Sequence, residues 1–161
     1  MQAGFSPEGY IIDQDHFAAY RYRGMTSNVN GCGWVAAYNL LHALGRDVDF
    51  ETVHRDMNAM FPHQIPGPTP VRKLRAYLAR HGTYAFTVGR KASLRVCTKA
   101  KAGILRYWEV NTPHFITFVQ AEGPLYRFFN VNDGLEDFTC TMEEFFEKHC
   151  LRPLVRAITP A

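Results

Sequence analysis

The sequence predicts an α+β fold, because apolar residues recur at helical spacing up to about residue 82 and at strand spacing after it. The two kinds of segment follow one another instead of alternating, which argues against βαβ units and a parallel sheet. A third observation fixes where the helical half matters most. The run Asn30-Gly31-Cys32-Gly33 stands directly before an apolar stretch that ends at Gly45.

Taken in order, residues 1–31 are mixed and rich in glycine and aromatic side chains, with a short strand at 9–12 and either a helical turn or a strand at 17–23. Residues 34–44 form a helix with Val35, Ala36, Leu40, Leu41 and Leu44 inward and Gly45 as its stop. A second helix over 50–60 is capped by Asp49 and shows Val53, Met57 and Met60 on one face. The prolines and glycine of 62–69 mark a loop. A third helix takes Thr69 as N-cap, Pro70 in its first turn, Leu74, Tyr77 and Leu78 inward, and Gly82 as terminator. Strands follow at 83–88, 104–110, 114–121 and 126–132, rich in β-branched and aromatic residues, and the last two read as a hairpin. Residues 92–101 are ambiguous and read as a short helix. Thr141 caps a helix to His149, with Glu144 at the capping-box position, and 154–158 closes as a strand. No repeat or linker interrupts the chain, so residues 1–161 are expected to be one domain.

Composition narrows the function classes. The 161 residues are 47% apolar, enough for a core, and carry a net charge of only +3. The excess of Lys and Arg over 72–106 reads as a solvated face, so nucleic acid is not expected as a partner. Cys32, Cys97, Cys140 and Cys150 include no C-x-x-C pair and suit free thiols in the cytoplasm. The first residues lack a basic segment followed by an apolar run, and no stretch has membrane-spanning length, so no membrane partner is expected. The seven histidines have no metal-ligand spacing, and neither metal nor cofactor is expected.

Cys32 is the natural candidate for chemistry. A thiol at a helix N-terminus feels the positive end of the helix dipole, which favours the nucleophilic thiolate. The flanking glycines leave room for a substrate backbone. The segment alone is equally compatible with a packed structural thiol. A nucleophile needs a base, and His114 follows Asn111-Thr112-Pro113 at the mouth of the strand H-F-I-T-F-V. If the hairpin forms, Asn130, Asn132 and Asp133 return to that mouth. One of them would accept the His114 Nδ1 proton and leave Nε2 facing the thiol. His42 lies too far along its helix to act as the base. Cys97, Cys140 and Cys150 read as packing residues, Tyr107 and Trp108 as core or cleft wall, and Glu143-Glu144 as helix capping. Residues 61–69 and the N-terminal segment are expected to line the cleft.

These motifs in this order, G-C-G opening a helix, H-F-I-T-F-V, a hairpin and V-N-D-G, resemble the papain-like cysteine peptidase superfamily over nearly the whole chain. The similarity is strongest to stand-alone relatives of the bacteriocin-leader-processing peptidases. The resemblance implies a papain-like α+β domain in which Cys32 is the nucleophile, His114 the base and Asp133 the orienting acid. Counting sixteen residues on from His114 gives Asn130 as the alternative; an inserted A-E-G-P turn favours Asp133. The family places an oxyanion-stabilising glutamine six residues before the cysteine, where this chain has Thr26. Asn28 or Asn30 is the candidate replacement. Trp34 stands where the family has proline and is placed to wall the cleft. The implied activity is thiol-dependent hydrolysis of a peptide or protein through a thioester. The alternatives are a degenerate peptide-binding module, motivated by the missing glutamine, and an acyltransferase or transglutaminase-like enzyme. Neither the oligomeric state nor the substrate is encoded legibly.

Overall fold

The computed structural model describes residues 2–131 and 138–161. The N-terminal segment makes a bridge between Phe5 and Ile11 and a 3-10 turn at Gln14–Phe17, where the Asp13 side chain accepts from the Asp15 amide. A two-residue ribbon, β1 (Arg21–Tyr22) and β2 (Met25–Thr26), leads into a single helical turn, α1 (Ser27–Asn30). The helices α2 (Cys32–Ala43), α3 (Phe50–Asn58) and α4 (Val71–Leu78) complete the first half. Then follow β3 (Tyr84–Val88), α5 (Arg90–Cys97), β4 (Ala102–Glu109), β5 (Thr112–Gln120), β6 (Leu125–Phe129), β7 (Phe138–Thr141), α6 (Met142–His149) and β8 (Arg156–Pro160). Six strands form one antiparallel sheet in the order β3-β8-β4-β5-β6-β7, so the last strand inserts between β3 and β4. The helical N-terminal half and the antiparallel C-terminal sheet agree with the α+β expectation.

Helix α2 organises the core. Every residue from Cys32 to Leu41 is buried, so the helix has no polar face and must be enclosed on all sides. One side rests on the sheet, where Ile104, Phe115 and Ile158 belong to its cluster and the buried Thr117 hydroxyl donates to the Ala36 carbonyl at 2.9 Å. Val53 and Met57 of α3 and Leu74, Tyr77 and Leu78 of α4 close another side. The N-terminal segment closes a third. There the buried Asn39 amide accepts from Ile11 N at 2.8 Å and donates to Ile11 O at 2.9 Å, satisfying both backbone groups of Ile11. Leu105, Tyr107, Ile116, Phe118 and Phe128 form the opposite cluster, covered by Phe145 and Phe146 of α6 and by Cys97. Strand alternation sorts neighbouring residues such as Ile104 and Leu105 between the two clusters. Among the described residues no helix is long and apolar enough to cross a membrane.

Local chemistry explains the boundaries. Asp49 accepts from Thr52 N and starts α3, and Thr141 and Glu144 form a complete capping box on α6. Gly45 takes φ +70 just after α2. Thr69 does not cap α4. The N-cap is Pro70, and the Thr69 hydroxyl instead shares a buried hydrogen bond of 2.8 Å with Tyr22. Trp34 does not wall a cleft; it is fully buried, and its Nε1 donates to Ser27 Oγ at 3.0 Å. The glycines beside Cys32 serve close packing, not access. A methyl on Gly31 would come within 2.5 Å of the Ser27 carbonyl, and one on Gly33 within 2.5 Å of Thr69 Cβ.

Gly33→Ala is therefore expected to destabilise the fold by about 1–3 kcal/mol, the usual cost of overpacking a filled site. A denaturant melt of the variant against wild type checks it, and Thr69→Ala in the same chain should recover part of the loss.

Candidate active site

The start of α2 and the start of β5 meet in a cleft of about 670 Å³. Cys32 lines it at the first turn of α2 and is 6% exposed. His114 lies on β5, is 5% exposed, and lines the same cleft, close enough for the Cys32 thiol to act on its protonation. The Thr117-to-Ala36 bond holds strand and helix together one turn behind this contact.

The orientation of His114 is set by a backbone carbonyl. Its Nε2 lies 2.7 Å from Asn130 O, and a carbonyl only accepts, so Nε2 carries the hydrogen. The nitrogen left for the thiol is Nδ1. This reverses the expected arrangement, in which Nδ1 was to be held and Nε2 to face Cys32. The reason is the backbone at Asn130. Its register partner would be Ile116, but the β5–β6 ladder stops at the Thr117–Phe129 pair and Asn130 turns to φ +66, away from strand geometry. Asn130 thus orients His114 through its main chain, while its side chain turns to the N-terminal segment. Asp133, the expected orienting acid, lies outside the described residues, as does Asn132.

Burial alone would lower the pKa of the His114 imidazole, but the neighbouring Cys32 thiol, the Glu109 carboxylate and the Asn130 carbonyl outweigh it, and the net shift is upward from 6.5. Glu109 was not singled out by sequence reasoning. It sits two residues beyond Tyr107, which pairs directly with His114, and Tyr107 donates to its carboxylate at 3.1 Å. The Tyr107 ring also meets the His114 ring edge-on at 5.9 Å. Period-two alternation on β4 would have found Glu109 once the register with β5 was known. Gln14 was missed as well; it is buried against Asn130 and lines the cleft.

The two oxyanion candidates separate. Asn28 lines the cleft, and its Oδ1 end is enclosed with no hydrogen-bond partner among the described residues. Asn30 does not reach the cleft, because its Nδ2 donates to Tyr22 O at 3.0 Å and Gly67 O at 3.2 Å. The N-terminal segment lines the cleft through Ile12, Asp13, Gln14 and Asp15, as expected, but residues 61–69 do not. They pack against Tyr22, Arg23 and Gly33 on the other side of α1. Among the described residues His114 is the one basic side chain in the cleft lining, which also includes Asp13, Asp15 and Glu109. Among the described residues no three His, Cys, Asp or Glu side chains gather as a metal would require.

The other cysteines have a different environment. Burial raises the Cys140 thiol to about 11 and the Cys150 thiol to about 12, and pushes Cys97 higher still. What fold and site define is an α+β protein with a helix-start cysteine and a buried strand histidine in one cleft. No family model matches the chain, and no curated protein sequence does.

Iodoacetamide at pH 7 should therefore alkylate Cys32 first, because a thiol titrating near 11 is ionised to only about one part in ten thousand there. Peptide mapping of the product checks the order of labelling. The upward shift at His114 also has a sign in stability. Its proton adds stability that is fully present below pH 6.5 and is lost as pH rises through the folded value. The stability gap between wild type and His114→Gln should shrink over that interval, measured by melts across pH.

Proposed function

We propose that the protein is a thiol-dependent peptide hydrolase of papain-like type. The observation that carries this reading is that one cleft brings together Cys32 at a helix start and the buried His114, whose ring the Asn130 carbonyl orients. The thiolate attacks the carbonyl carbon of an amide, forming a C–S bond and a tetrahedral oxyanion. His114 gives its Nδ1 proton to the leaving nitrogen as the C–N bond breaks. Water then attacks the thioester while Nδ1 takes its proton, the acid leaves, and the dyad returns to its starting state. The Asn130 carbonyl keeps Nε2–H in place throughout, and Asp133 is the acid that the resemblance adds to it. The first-turn amides of α2 and the Asn28 side-chain amide are the donors proposed for the oxyanion. The free thiols suit a reducing compartment such as the cytoplasm.

A second reading has its own observation. Position 26 is a threonine at the N-cap of α1, so the glutamine amide of active relatives is missing. A cleft that binds peptide without turning it over is the corresponding function. The same dyad would also pass an acyl group to an amine, and an amine-acceptor assay separates that reaction from hydrolysis.

Turnover of a mixed-sequence peptide library, followed by mass spectrometry, distinguishes these readings. Hydrolysis that disappears in Cys32→Ala and falls on the order of a hundredfold in kcat in Asn28→Ala is the expected result. Peptide binding that Cys32→Ala leaves intact, with no product from wild type, would replace the enzyme by the binding module.

A further inference from the structure

Gln14 makes four hydrogen bonds that join three separate parts of the chain. Its backbone N–H donates to Asn130 Oδ1 at 3.0 Å, and its Oε1 accepts from Asn130 Nδ2 at 2.8 Å. Its Nε2 donates to Asn28 O at 3.0 Å and to Ser27 O at 3.3 Å, in the turn that leads into Cys32. Both amide side chains are buried, Gln14 at 5% exposure and Asn130 at 3%, and every polar atom of each is used. Gln14 therefore has no donor to spare for an oxyanion.

The residue type follows from this geometry. Asn130 Nδ2 requires an acceptor, and the Ser27 and Asn28 carbonyls require a donor. Only an amide offers both at its two ends. The need for it follows from β6. Strand pairing stops at Phe129, and Asn130 takes φ +66, so no ladder bond fixes the direction of the carbonyl that holds His114. The amide pair supplies that direction, and the same side chain ties it to the backbone before Cys32.

Resting on the dyad reading above, we infer that Gln14 is a positioning residue: through Asn130 it sets the angle of His114 toward Cys32. Gln14→Met removes the side-chain bonds at nearly constant volume. Asn130→Gly removes the partner amide while keeping the carbonyl and tolerating φ +66. The probe is the pH profile of Cys32 alkylation by iodoacetamide, which reads the thiolate–imidazolium pair without a known substrate.

Wild type should alkylate at Cys32 faster than either single variant. Each single variant should react about tenfold more slowly at pH 6, and the double variant no more slowly than either. A folded single variant with the wild-type profile overturns the inference. So does a double variant slowed about a hundredfold, which would mean that the two residues act independently. If Gln14→Met does not fold, Asn130→Gly decides alone, its unchanged profile being fatal. A wild-type Cys32 that alkylates no faster than Cys97 would sink the dyad itself, a separate failure.

Discussion

The enclosure of α2 is the constraint on which the rest depends. A helix buried from Cys32 to Leu41 has no face to offer water, so its stability comes from what surrounds it. Each fully buried Val, Leu or Ile contributes about 1.5–3 kcal/mol, and no single neighbour can cover them all. The sheet, α3, α4 and the N-terminal segment are each held to one side. Once they are in place, the axis of α2 relative to β5 has little freedom. The thiol at one end and the imidazole at the start of β5 then meet as a result of packing.

Polar groups within that enclosure do the fine positioning. Thr117 and Asn39 are buried on or beside α2, and each satisfies a backbone group that would otherwise be stranded in the core. Gln14 and Asn130 do the same across 116 positions of sequence. Such pairs add little net stability, but a misplaced partner is costly, so they select one arrangement among several of similar apolar burial.

Much of this was legible in the sequence, for local reasons. The helix-start cysteine, the Asp49 cap, the Thr141–Glu144 capping box and the Gly45 stop depend on residues within a turn of one another. Cys32 and His114 could be paired in advance because glycines flank one and a strand mouth holds the other. What failed was long-range. Thr69 looked like a cap, but its hydroxyl belongs to Tyr22, 47 residues away. Trp34 looked like a cleft wall because nothing nearby revealed Ser27 as the partner of its Nε1. The tautomer of His114 was misjudged because side chains were weighed as partners and a main-chain carbonyl was not. Gln14 and Glu109 carry no motif; the register of the sheet and the path of the N-terminal segment alone bring them to the site.

The bond from Nε2 to a carbonyl also limits how protons travel. A carboxylate behind a histidine can share a proton, and a water molecule there can carry one away. An amide carbonyl does neither at neutral pH. The far nitrogen of His114 is thus closed to exchange along that bond, and the ring has a single working end. A proton taken up at Nδ1 leaves by the same atom. In the hydrolysis proposed above, such a ring would carry the proton from one half of the reaction to the other through Nδ1 alone.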